Sequence, residues 1–264
     1  MRIVPQIFLT IVAMLPAVCL TADTPIQTVV VRSSGDRLGD LVDALIHAGR
    51  FDDALRLCTD QSVRHDPSSD WGAKWAIRKS RVLTARQLVA TEFGSSQISA
   101  AQQPVTELLN AYPDHRRLLF LQAQNIRVRK AAATHQVVQA TVSDSEAVKD
   151  EATENLVRVM TETRGLIGNC AEARNLIEDQ RNANPGLSAE LKRLQQELSV
   201  EVVTLSLMQT ELFPPGSKDC IAAATKAEQA AIDAIKRVPS ATPARSELHR
   251  LRIAAILRAG QVAR

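Results

Sequence analysis

The chain has 264 residues, 45% of them hydrophobic, with 10 Gly and only two Trp, one Tyr and five Phe. That is enough length and apolar content for a sizeable core in one large domain or two small ones, and it excludes a disordered or fibrous chain. Lys plus Arg exceed Asp plus Glu by 32 to 29, a balance of +3 that falls to +2 without residues 1–22, whose one charged side chain is Arg2, so no long-range field points to nucleic acid or an anionic membrane.

Met1 and Arg2 precede an apolar stretch from Ile3 to Leu20, interrupted by Pro5, Gln6, Thr10 and Pro16, and then Thr21-Ala22-Asp23. A positive start, an apolar segment and a small residue before polar sequence make the layout of an export signal over residues 1–22. Cleavage is expected after Ala22, with Cys19 as the alternative; an uncleaved anchor is the competing reading, because about 20 apolar residues can span a bilayer. The expected location is the periplasm or cell envelope, or outside the cell. Residues 23–35 read as a linker.

From about residue 36 onward the periodicity is helical and strand signals are nearly absent. About ten helices are expected, over 37–48, 52–64, 70–93, 98–111, 115–140, 144–167, 170–183, 187–213, 217–238 and 243–258. In the longest, Leu187, Leu191, Leu194, Leu198, Val202, Leu205, Met208 and Leu212 form one apolar stripe, ended by Pro214-Pro215-Gly216. Ser217 is then a fitting N-cap. Val148, Ala152, Leu156, Val159, Thr163 and Leu166 make a second stripe, which Gly168-Asn169 is expected to close. Short loops favour sequential antiparallel hairpins.

Ala48-Gly49-Arg50-Phe51-Asp52-Asp53-Ala54-Leu55 puts a glycine at the end of one helix, an aromatic after it, and a small residue one turn into the next. Downstream, Ala101, Ala173 and Ala227 each precede a helix-ending proline, Pro113, Pro185 and Pro239, by twelve residues. A small side chain lets two helices approach, and proline then turns the chain. Together these features resemble the tetratricopeptide repeat, paired helices of about 34 residues stacked side by side. Residues 35–68 match best, with Leu38, Leu41, Val42 and Leu45 at the family's apolar positions and Ala54 at the helix crossing. The alanines lie 47, 72 and 54 residues apart, so the repeats are irregular, and with ten helices the pairing slips once between Pro113 and Ala173. The resemblance implies an all-α solenoid over residues 36–264, with a concave groove that takes protein or peptide. It places Asp36, Asp43 and His47 of the first helix, and Asn155, Arg158 and Glu162 of the 144–167 helix, in that groove.

No catalytic pattern is present. His47, His65, His115, His135 and His249 are scattered, with no His/Cys/Asp/Glu cluster at ligand spacing, no nucleophile elbow, no phosphate loop and no dinucleotide fingerprint. Neither a metal nor a cofactor is expected. Cys58, Cys170 and Cys220 follow the signal at spacings without a metal or redox pattern; they read as buried thiols, although export would also allow one disulfide and a free thiol. Arg116, Arg117, Arg127, Arg129 and Lys130 form the most basic stretch, with Phe120 the sole aromatic nearby, so nucleic acid is not the expected partner. They are expected to face the acidic helix of Asp144, Glu146, Asp150, Glu151 and Glu154. Trp71 and Trp75, one turn apart, are candidates for a partner hot spot or for a plug between hairpins. The functional expectation is an exported, non-enzymatic adaptor for a protein or peptide. The alternative is a structural spacer, the N-terminal part of a longer repeat protein.

Overall fold

Apolar residues recurring every three or four positions produce helix, and all regular structure among the described residues is helical, without a strand. The structure is a computed structural model that describes residues 34–89, 94–183 and 189–260. In chain order the helices are α1 (Ser34–His47), α2 (Phe51–Arg64), α3 (Asp70–Val89), α4 (Ser95–Ala111), α5 (Leu118–Thr141), α6 (Glu146–Ala183), α7 (Ala189–Gln209), α8 (Lys218–Arg237) and α9 (Pro243–Arg258), with a 3₁₀ turn at Thr210–Leu212 after α7. The fold class is all-α. The expected export segment lies outside the described residues, and α1 opens at Ser34, inside the expected linker. No helix of the described residues is long and apolar enough to cross a membrane.

Local chemistry sets the helix ends. Gly49 takes a left-handed φ of 71°, and Arg50 N then donates to Leu45 O at 2.9 Å, closing α1 before α2 begins. The Ser217 hydroxyl accepts from Cys220 N at the start of α8, and the Thr242 hydroxyl accepts from Arg245 N at the start of α9. Helix α5 begins three residues later than expected, because the His115 ring folds back to accept from Arg117 N at 2.9 Å. The chain leaves α7 through the 3₁₀ turn, short of Pro214.

Gly168-Asn169 does not end a helix. Helix α6 runs unbroken for 38 residues, so the described residues hold nine α-helices where ten were expected. Burial explains the difference: Val159, Thr163, Leu166 and Cys170 continue one buried stripe through the pair, while Gly168 and Asn169 point to solvent. Helix interruption would forfeit that stripe, against a propensity cost of about 1 kcal/mol for the glycine. The merger also removes the slip in pairing. Ala54, Ala101, Ala173 and Ala227 now fall on α2, α4, α6 and α8, the even-numbered helices.

Each helix packs on the next, and the substantial next-but-one contacts, α1 with α3, α3 with α5 and α7 with α9, all join odd-numbered helices. Helices α5 and α6 are antiparallel, since Arg129 meets Glu162 while Gln136 meets Asn155. Val42, Ala54, Cys58, Trp75 and Val82 form the core of the first three helices; Ala123, Ile126, Val159, Leu166, Cys170, Leu194, Leu198, Val202 and Leu205 join α5, α6 and α7. Leu41, expected at an apolar contact, is instead 47% exposed, and its neighbour Val42 takes the buried place. The three described cysteines are free and buried, on α2, α6 and α8. Burial pushes the Cys58 thiol up to about 11 and the Cys170 thiol up to about 12.

Two glycine substitutions separate these environments. A Cβ on Gly168 would meet nothing within 4 Å, so Gly168→Ala is expected to stabilise the chain by about 0.5–1 kcal/mol in denaturant titration. Gly49→Ala, at positive φ, should cost about 1 kcal/mol. Destabilisation by Gly168→Ala would contradict a continuous α6.

Candidate functional site

The basic stretch of α5 does not face the acidic start of α6. Arg117, only 5% exposed, donates from one terminal nitrogen to Asp70 at the start of α3 (2.8 Å) and from the other to Glu197 on α7 (2.6 Å). Its guanidinium also lies over the Phe120 ring at 5.2 Å. Glu197 further receives Arg193 at 3.1 Å and Lys74 at 3.4 Å. Farther along α5, Arg127 meets Glu201 on α7 at 2.5 Å, and Lys130 meets Glu211 in the 3₁₀ turn. Arg129 reaches α6, through Glu162. The carboxylates at the start of α6 lie too far along the hairpin for Arg117, whereas α7 presents Glu197 and Glu201 one turn apart along the same seam.

Burial would raise the Glu197 and Asp70 carboxyls, but the Arg117 guanidinium, with Lys74 beside it, outweighs that and holds both below the ordinary carboxylate range. Lys74 is pushed down, first by its burial and then by the Arg117 charge. Deeper in the same seam Gln124 of α5 donates to Ser80 of α3 at 3.1 Å, both nearly fully buried. Sequence reasoning missed Asp70 and Glu197 because ion partners 47 and 80 residues away leave no local pattern.

The residues expected in a groove form two separate groups. Asp36 lies in the first turns of α1, and its side chain is outside the described residues. Asp43 pairs with Arg81 of α3 at 3.1 Å, and His47 is exposed at the end of α1. Asn155, Arg158 and Glu162 follow one another on α6, whereas the main packing of α1 is on α2 and α3. The Asn155 amide donates to Gln136 Oε1 at 2.8 Å and its carbonyl accepts from Arg158 at 2.8 Å. Arg129 holds the Glu162 carboxyl below its usual range by hydrogen bonding. Trp75 is fully buried and so serves the core, not a surface; Trp71 is partly buried, stacked on His65 at 6.1 Å with Lys74 over its ring at 4.9 Å.

Asn155 and Arg158 wall a groove of about 520 Å³ between the end of α5 and the start of α6. Gln136 and Gln139 face them from α5, and Glu151 and Glu154 complete the α6 side. Its depth comes from Ala140 and Ala152, buried small residues that let the two helices approach. Three amides, each both donor and acceptor, and side chains of both charges suit this surface to hydrogen bonding with an extended chain. It holds no serine, cysteine or histidine to act as a nucleophile or base. Among the described residues no group of three or more His, Cys, Asp and Glu is placed to hold a metal ion.

Comparison of the chain with protein-family models and with curated proteins gives no match to either.

The Arg117 junction predicts an acid-sensitive fold. Because the folded carboxyls of Glu197 and Asp70 titrate below their unfolded values, their stabilisation is complete above the unfolded value, about pH 4, and is lost as pH falls through the folded ones. Glu197→Gln should cost about 2–3 kcal/mol at neutral pH, less than a wholly buried pair because Asp70 still holds Arg117. Denaturant titrations from pH 7 to about pH 3 should show a shallower acid loss in the variant than in the parent.

Proposed function

We propose that the chain is an exported helical-repeat adaptor that binds a protein or peptide segment and performs no chemistry. The observation that carries this reading is the α5–α6 groove, with its amide and charged walls and no nucleophile–base pair. Under this reading α1–α2, α3–α4, α5–α6 and α7–α8 are stacked antiparallel hairpins of a tetratricopeptide-like solenoid, and α9 begins a fifth. Two features support the stack: the alanine-to-proline spacing falls on α4, α6 and α8, with Ala54 on α2, and next-but-one packing joins odd-numbered helices. Export rests on the layout of residues 1–22.

In such a stack α6 is a second helix, so Asn155 and Arg158 would meet a partner in the seam of one hairpin and not along the inner row. The inner row of α3, α5 and α7 is instead occupied by its own ion pairs around Arg117. A spacer role is the second reading, favoured by the outward face of α9, where Ile253 and Leu257 are each 58% exposed. That face would suit a further helical neighbour.

A photo-reactive residue at Gln139, in the groove, should form adducts with an envelope protein in living cells, while the same group at Val63, 84% exposed on α2, should not. Adducts from Val63 alone, or from an α9 position alone, would reject the groove in favour of the spacer. The N-terminus of the exported chain should be Asp23, or Leu20 for the alternative cleavage site. Recovery solely from the cytosol would reject export.

A further inference from the structure

The groove carries more information than its shape. The cations of α5 all come before Gln136, the first α5 residue of the groove, and are engaged there, Arg117 and Arg127 on α7, Lys130 on the 3₁₀ turn and Arg129 at Glu162. Glu151 and Glu154 are left on the groove wall, exposed and without a hydrogen bond or ion pair among the described residues. Arg158, the one cation of the wall, is turned toward Asn155 and bonds its carbonyl. The groove is thus an acidic-walled concavity with an alanine floor and amides on the opposite wall.

We propose that the occupant of this groove is an extended peptide segment bearing two cationic side chains with one residue between them. The spacing follows from geometry. Glu151 and Glu154, three apart on a helix, project side by side about 5–6 Å apart. Same-side residues of an extended chain repeat at about 6.6–6.8 Å, which lets two lysines or arginines reach the pair together. The peptide backbone would then lie over Ala140 and Ala152, within reach of the exposed Gln139 amide, which has no hydrogen-bond partner among the described residues. This inference rests on the peptide-adaptor reading and names the charge class that the adaptor accepts.

The test uses the full chain and three fluorescent nonapeptides that differ only in their central residues, Lys-Ala-Lys, Gln-Ala-Gln and Glu-Ala-Glu. Anisotropy titrations should show binding of the Lys-Ala-Lys peptide, weakened by added salt as expected for exposed charges. Glu151→Gln with Glu154→Gln should weaken it about tenfold, the effect of two exposed ion pairs together. Both substitutions are at exposed positions, and an unchanged melting temperature serves as the control for folding. Glu151→Lys with Glu154→Lys should reverse the preference toward Glu-Ala-Glu. Equal binding of all three peptides, still abolished by Gln139→Arg in the groove, would overturn the charge assignment and leave the peptide-adaptor reading standing. Binding that no groove substitution alters, or no binding by any peptide, would overturn both.

Discussion

The arrangement of the helices turns on one buried cation. Arg117 sits at the N-terminal end of α5, where α3 and α7 converge, and its two terminal nitrogens are claimed by carboxylates from those two helices. Removing a guanidinium from water costs several kcal/mol, and geometry of this quality is needed to offset it. A lysine could not substitute, because a single ammonium lacks the fork that reaches two acceptors on opposite sides at once. The same residue precedes the first turn of α5, and its backbone N–H is taken by the His115 ring. Side-chain charge and helix start are therefore fixed by one short turn.

From that junction a charge seam follows α5 and α7, through Arg127 with Glu201 and Lys130 with Glu211. The seam stands beside the apolar contact of α5, α6 and α7, so it aligns helices whose burial has already brought them close. The apolar part is non-directional, and the ion pairs supply register along the helix axis. Across the described core as a whole alanine and valine are the commonest buried residues, and Trp75 is the largest wholly buried side chain. With few bulky residues, close helix approach has to do what aromatic packing does elsewhere, and the buried alanines at 54, 101 and 227 mark the crossings.

Much of the fold was legible in the sequence for this reason. Apart from the break expected within α6, periodicity located the described helices to within a few residues, and the glycine at 49 and the cap at 217 were readable from local chemistry. What failed was anything decided by a distant partner. Gly168-Asn169 carries a local stop signal, but the stripe from Val159 to Cys170 has α5 and α7 to bury against, and that contact outweighs the signal. Leu41 and Val42 are equivalent to a periodicity argument, and only the position of α3 decides which is covered. The acidic start of α6 looked like the natural counterpart of the basic α5, because it is nearest in sequence. Asn155 and Arg158 were expected in an inner groove together with residues of α1, and the lining of the α5–α6 groove depended on knowing which face α5 turns toward α6.

The continuity of α6 links the two halves of this picture. At 1.5 Å per residue its 38 residues span about 57 Å, against about 36 Å for the 24 of α5, so α6 cannot be matched to α5 over its whole length. Antiparallel pairing sets Asn155 against Gln136 and Glu162 against Arg129, which leaves the last turns of α6 beyond the start of α5. Those turns are held by later helices, as the contact of Glu178 with Arg237 of α8 shows. At the start of α6 the apolar packing on α5 narrows to Val137, Ala140, Ala152 and Leu156. A wall built from long polar side chains above so small a floor leaves a groove. The long helix thus anchors one end by burial and leaves Glu151 and Glu154 exposed at the other.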